Sequence, residues 1–287
     1  MTTRLLLKLS PLLLPYAALF CGGVLLTVCQ SLGVLTPLPS AGGTLDAYAR
    51  LFTDASFFAS FFFSLGVAAA SALLSVAAGT FLAYWVWQLP RVLAPTALVY
   101  KIPLILPHIA VAFVVLVFWS RSGIMASAAY HLGLIDAMQD FPNVLFAGWG
   151  IGMVMAYVLK STPFAMLLVL ALLAQFDVRQ VQTAAMLGAS RRHIFVRIVL
   201  PHLAPAMHTA FIILFLYAFG AFDIPYLLSE SRPGMLSIRV FDLYFRQDLA
   251  RRPEAMAILV VMFVFAVIFI VAYSRVVRRL DSGARKL

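Results

Sequence analysis

The chain has 287 residues, of which 63% are apolar and 11% charged, with 21 Lys and Arg against 11 Asp and Glu and a formal net charge of +10. With a mean hydropathy of +1.00, this composition excludes an ordinary soluble domain and indicates an all-α, polytopic membrane protein.

A helix needs about 20 apolar residues to cross about 30 Å of hydrocarbon. Six runs meet that length, near residues 11–36, 57–88, 98–119, 144–174, 203–228 and 255–274, and together they predict one transmembrane domain over 1–287. The first run is longer than the roughly 7–15 apolar residues of a signal peptide and is expected to stay as a helix. It holds Cys21 and Cys29, which stand about 12 Å apart by helical rise and cannot bridge each other. Phe20 before Cys21 also spoils a lipoprotein cleavage site, so both thiols read as small packing groups. In the second run Ser71, Ser75, Gly79 and Ala83 recur every four residues, a groove where another helix can approach closely. Pro103 and Pro107 in the third run, and Pro163 in the fourth, are expected to kink their helices or free carbonyls. Gly148 and Gly152 read as a small-residue pair at the outer end of the fourth.

Orientation follows from Lys and Arg. With the amino terminus inside, Arg4, Lys8, Arg91, the four arginines of 179–197 and the five basic residues of 275–286 make twelve on the cytoplasmic side. Arg50, Arg121, Arg232, Arg239, Arg246, Arg251 and Arg252 make seven outside. The bias puts both termini in the cytoplasm. Eight of the eleven acidic residues fall in the outer loops, so topology accounts for the net charge, and no nucleic-acid partner is called for.

Three charges lie in or beside apolar runs, where a charge is a site candidate by default. Lys101 sits near the start of the third run and can snorkel. Lys160, in AYVLKSTPFAML, is near mid-depth and needs a hydrated cavity or an anionic or carbonyl partner. Asp223, in AFGAFDIPYLL, lies near the outer end of the fifth run. With Pro163, Phe219, Phe222 and Tyr226, Lys160 and Asp223 form the expected solute pathway. No catalytic constellation competes. His108, His131, His193, His202 and His208 show no metal-ligand spacing, and there is no nucleophile elbow. None of the four lysines stands in a phosphate-binding loop, so the chain is expected to be no enzyme and to bind no cofactor itself.

The most informative stretch is QTAAMLGASRRHIFVRIVLPHLAP, Gln182 to Pro205, a polar and basic insert between two apolar runs. Val178, Val181 and Ala185 predict one short helix, Gly188 a left-handed cap, and Ile194, Phe195, Ile198 and Val199 a second stripe before Pro201. Ala184, Gly188, Ala189, Ile198, Leu200, Pro201 and Pro205 resemble the cytoplasmic coupling loop of binding-protein-dependent ABC importer permeases. Gln182 and Thr183 stand where that family usually has Glu and Ala, and Leu187 where many members have Asp.

The resemblance implies a type I importer permease in a bacterial inner membrane, with residues 175–202 docking into a groove on the ATPase. Gln182, Thr183, Ala184, Ala185, Gly188, Ala189, Ser190, Arg191 and Pro201 are the implied coupling residues, with Ala184 and Gly188 at the contact. The implied partners are an ABC ATPase dimer carrying ATP and Mg, a second permease subunit, a solute-binding protein and membrane lipid. The wording Leu-Gly-Ala-Ser, FGAFDIPYLL and RRPEAMA is most similar to permeases for spermidine and putrescine, a group with relatives for ferric iron, thiamine and phosphonates. An ion-coupled secondary transporter is the rival of another class, and it would be expected to show inverted repeats and no docking loop.

Overall fold

The computed structural model describes residues 2–36, 44–89, 100–230 and 233–284. In chain order its helices are α1 Thr2–Ser31, α2 Asp46–Thr53, α3 Ala55–Trp87, α4 Ile102–Ile105, α5 His108–Trp119, α6 Ile124–His131, α7 Ile151–Leu173, α8 Val178–Met186, α9 Arg191–Ile194, α10 Leu200–Gly220, α11 Asp223–Leu228, α12 Leu236–Phe241 and α13 Arg252–Ala284. Six helical stretches are long and apolar enough to span a membrane: Leu9–Ser31, Ala55–Trp87, His108–His131, Ile151–Leu173, Arg191–Gly220 and Leu249–Arg279. The described residues contain no strand, so the six-span all-α architecture read from composition is found. Arg91, Arg232, Arg285 and Lys286, which entered the charge bias, lie outside the described residues.

Three spans have an end set by a backbone break inside the predicted apolar run. The third starts at His108 rather than 98, because Leu106 is extended (ψ 137°) and Pro107 has no N–H to continue α4. It then runs past Trp119, through a turn, to His131. The fourth starts at Ile151 rather than 144, since Gly148 and Gly150 take left-handed φ values of +80° and +67° that a helix cannot contain. Gly148 and Gly152 are therefore not a pair on one helix face. The fifth ends at Gly220 rather than 228, where Ala221 turns extended (ψ 146°) and α11 begins afresh at Asp223. Apolar content alone does not see these breaks; backbone chemistry makes them.

The chain divides into two compact units, Met1–Phe61 with Leu236–Leu287, and Phe62–Met235. In the first, α1 lies along α13, with Phe20 against Phe263 at 6.3 Å between ring centroids. Outward-facing Leu12, Leu14 and Leu19 of α1 are exposed, as suits lipid contact. Cys21 and Cys29 are free thiols. Ion pairs gather at the α2 end of this unit: Arg50 to Asp46 at 3.0 Å and to Glu254 at 3.6 Å, Arg251 to Glu254 at 2.9 Å, and Arg239 to Asp54. Asp54 also accepts from the Ser56 backbone N–H at 2.8 Å. Burial pushes its carboxyl up, but hydrogen bonds from Ser56 and Arg239 outweigh this and hold it below the usual carboxylate range.

In the second unit α7 is the central helix, with Met153, Ala156, Tyr157, Ala165, Met166 and Val169 almost without exposure. The small-residue stripe of α3 is what lets another helix come so near. A Cβ at Gly79 would stand 2.8 Å from the Ala165 Cβ and 2.9 Å from both the Met166 N and the Thr162 O. Ser71, Ser75 and Ala83 on the same stripe are buried. Lipid tails supply no hydrophobic drive between such helices, so this close approach holds them mainly by dispersion.

Candidate functional site

The insert at 175–202 folds into a compact turn with a reason for each motif residue. Asp177 caps α8, its carboxylate accepting from the Arg179 N–H at 3.0 Å. The helix ends in a Schellman turn: the Gly188 N–H donates to the Ala185 O at 3.0 Å, and the Ala189 N–H donates to the Ala184 O at 3.0 Å. Gly188 holds φ +82° there, with open space where a Cβ would be. Ser190 then caps α9, accepting from the His193 N–H at 3.3 Å.

The side chains of this turn divide by face. Val181, Ala184 and Ala189 pack inward on a buried cluster of Ala83, Met166, Val169, Leu173, Phe176, Ile194, Val199 and Leu203. Met186 and Leu187 point outward, 89% and 83% exposed. Gln182, Thr183, Ala185, Gly188, Ser190, Arg191 and Pro201 are also exposed. Ala184 and Gly188, read together as contact residues, therefore part company: Ala184 faces the chain's own core. Among the described residues no ion pair forms with Arg179, Arg191, Arg192 or Arg197, whereas Arg50, Arg239, Arg246 and Arg251 are all paired.

The second stripe does not stop before Pro201. Phe195–Val199 is a π-helical turn, with the Leu200 N–H donating to the Phe195 O, and it leads straight into α10. Pro201 cannot donate to the Arg197 carbonyl and its ring would crowd that carbonyl in a regular α-helix; the wider turn relieves the crowding. Rings fix this junction: Phe195 lies 4.6 Å from Tyr84, and Phe176 lies 5.9 Å from Trp87 and 5.0 Å from His202.

A second polar cluster lies within the spans of the same unit. Lys160 is only 8% exposed on α7, and its Nζ donates to the carbonyls of Pro103 at 2.9 Å, Leu104 at 3.0 Å and Leu106 at 2.6 Å. Next to it the His108 ring lies 5.1 Å from the Tyr217 ring, which meets Tyr157 edge-on at 6.3 Å. The Asp223 carboxylate is within electrostatic range of His108, Tyr157 and Tyr217. Of the expected pathway residues, Asp223 and Tyr226 are exposed and Phe222 half-buried, with Phe222 and Tyr226 at 5.2 Å. Pro163 and Phe219 are buried, Phe219 stacking on Phe215. Lys101 is exposed beside Tyr100. Sequence reasoning did not find His108, Tyr157 or Tyr217, nor Glu230, whose carboxylate accepts from the Gly148 N–H at 2.5 Å. Nothing in their local wording marks them, since each is brought into place by another helix. No cluster of His, Cys, Asp or Glu able to hold a metal occurs among the described residues.

Residues 75–286 match the family described as the binding-protein-dependent transport system inner membrane component. The chain belongs to that family. The matched region includes the turn at 175–202 and the polar cluster alike. This permease is 30% identical over 175 residues to the molybdenum transport system permease ModB of Escherichia coli, covering 60% of this chain and 71% of the relative. It is 26% identical over 190 residues to the spermidine/putrescine permease PotB of Salmonella typhimurium, covering 66% and 64%. It is 26% identical over 200 residues to a probable ABC transporter permease protein of Brucella abortus, covering 64% of this chain; the permease spans 65% of that relative's length. A chain of the bacterial alginate ABC transporter, solved in complex with an alginate pentasaccharide-bound periplasmic protein, superimposes with a TM-score of 0.77 at 20% identity, over 97% of this chain and 94% of that one. That likeness extends the shared fold to the whole permease. The polyamine group is thus one of several resembled, alongside a molybdenum permease.

Proposed function

We propose that this chain is the membrane-spanning permease subunit of an ATP-driven importer, both termini cytoplasmic. In this reading it lines half of a translocation path with a second permease copy or paralogue, receives solute from a binding protein outside, and docks through 175–202 on an ABC ATPase dimer that holds the ATP and Mg. The observation that carries it is the coupling turn. Two large apolar side chains, Met186 and Leu187, stand almost fully exposed in it, on a basic insert whose arginines form no ion pair among the described residues and that the charge bias puts inside. A soluble surface does not leave such a pair bare without a partner to cover it.

For the solute, the reading is an organic cation of the polyamine kind. It rests on the exposed Asp223 carboxylate at the start of α11, with the Phe222 and Tyr226 rings of the same segment 5.2 Å apart, which would attract a protonated amine by charge and cation–π interaction. The Lys160 ammonium, bound to three carbonyls, keeps its charge and in this reading is a barrier to leak rather than a solute contact. The test is uptake by cells carrying the full transporter, offered labelled spermidine, molybdate, ferric iron, thiamine or a phosphonate. Spermidine uptake that Asp223→Asn lowers at least tenfold, at matched membrane level, supports the reading. Uptake of molybdate alone, or spermidine uptake indifferent to Asp223→Asn, overturns the cation assignment while leaving the permease role standing.

A further inference from the structure

We infer that Lys160 is a positioning residue: its ammonium caps, from α7, the three carbonyls left unpaired where Pro107 breaks the chain between α4 and α5. In a continuous helix the Pro103 carbonyl would receive the N–H of residue 107, four positions on. Residue 107 is proline and has none. The Leu104 carbonyl loses its partner because Leu106 turns extended, at ψ 137°, and the same turn swings the Leu106 carbonyl out of any helix. An apolar bundle offers no water to these three groups, and each unsatisfied carbonyl there carries a large desolvation cost. An ammonium has three donors and no acceptor, and Lys160 Nζ meets the three carbonyls at 2.9, 3.0 and 2.6 Å. Donor and acceptor counts balance.

Two things follow for the polar cluster. Lys160 has no proton left for a solute, so an anion passing this point finds its charge but no free donor. The clamp also fixes where α5 begins, and with it His108, whose ring rests 5.1 Å from Tyr217 beside Asp223. The residue type is explained as well. Three acceptors converging on one point suit a compact ammonium, whereas a planar guanidinium directs its donors in a flat fork. The inference depends on the fold alone and not on the solute.

The test is a coupling between two sites that share no chemistry except these carbonyls. Lys160→Met, Pro107→Ala, the double variant, and Lys160→Met with Pro163→Ala are purified as the full chain in detergent, and their thermal midpoints and membrane levels are compared. Lys160→Met is expected to lower the midpoint by about 5 °C or more and to lower membrane accumulation. Pro107→Ala, which returns an N–H to the break, is expected to recover at least half of either loss in that background. Pro163→Ala, on the lysine's own helix, recovers nothing. A Lys160→Met chain of unchanged midpoint overturns the inference. So does a double variant whose losses simply add, and that outcome is readable from membrane levels even if Lys160→Met alone fails to accumulate.

Discussion

Replacing Met186 and Leu187 together by serine separates the proposed docking face of the turn at 175–202 from the fold that presents it. The two side chains are 89% and 83% exposed, so the chain itself draws almost nothing from them, and its thermal midpoint should stay within the range of neutral surface changes, about 0.5 kcal/mol. Burial of each in a partner groove is worth about 1.5–3 kcal/mol, hence about 3–6 kcal/mol for the pair. At about 1.4 kcal/mol per factor of ten, the partner's affinity should fall by two to four decades. The assay is co-purification of the ATPase with the permease over a dilution series, with ATP hydrolysis measured alongside. A double variant that holds its ATPase within about threefold of the original affinity would refute the reasoning. Ala184→Leu supplies the contrast, because Ala184 packs on the chain's own cluster. It should lower the midpoint by the about 1–3 kcal/mol typical of overpacking before it touches the partner.

Gly188 is strained by backbone conformation rather than by space, with φ +82° and nothing near a built Cβ; Gly188→Val should destabilise by about 1–2 kcal/mol and Gly188→Asn by less, and equal midpoints for the two would contradict the left-handed turn. Gly79→Ala sets a methyl 2.8–2.9 Å from Ala165, Met166 and Thr162 atoms, two of them backbone, so it should cost about 1–3 kcal/mol by melting, and a neutral result would deny the close approach. The lowered Asp54 carboxyl contributes stability that is fully present above its ordinary range and is lost as pH falls through its depressed value. Asp54→Asn should therefore destabilise the chain, by about 0.2–1 kcal/mol for a partly exposed pair that solvent still screens, at pH 7 but not in strong acid, and a difference that persists in acid would exclude the carboxylate as its source.

How far the sequence carries depends on whether a residue acts on its own segment or on another. Gly188 was legible because a Schellman turn needs a left-handed residue at one position, whatever lies around it. The same wording misled about Ala184. Its place in the motif suggests a contact, but the turn uses Ala184 and Ala189 as the inward pair that seats it on Val199 and Leu203. What faces outward is the pair between them, Met186 and Leu187, the second of which the motif marks only as a departure from Asp. The Ser71–Ala83 stripe was equally legible, since small residues every four positions have one geometric meaning on a helix. Its partner, α7, was not.

The polar groups within the spans make the same division sharper. That Lys160 would need a cavity or a carbonyl partner follows from solvation alone, because a bare ammonium cannot remain in hydrocarbon. Which carbonyls would serve it depends on Pro107, fifty-three positions earlier, and on α4 and α5 being set beside α7. Both halves were foreseeable one at a time: a carbonyl freed by proline here, a lysine charge needing acceptors there. Pairing them required the fold. Asp223 shows the reverse case, where an apolar run read as one helix hid a break at Gly220, and only the break turns the carboxylate out from a helix flank to the exposed start of α11. In a chain this apolar, hydropathy counts the spans, whereas Pro107, Gly150 and Gly220 decide where they stop. Polar side chains such as Asp223 and Lys160 are drawn to those stops, from the same segment or from a neighbouring helix, because that is where backbone groups are left wanting partners.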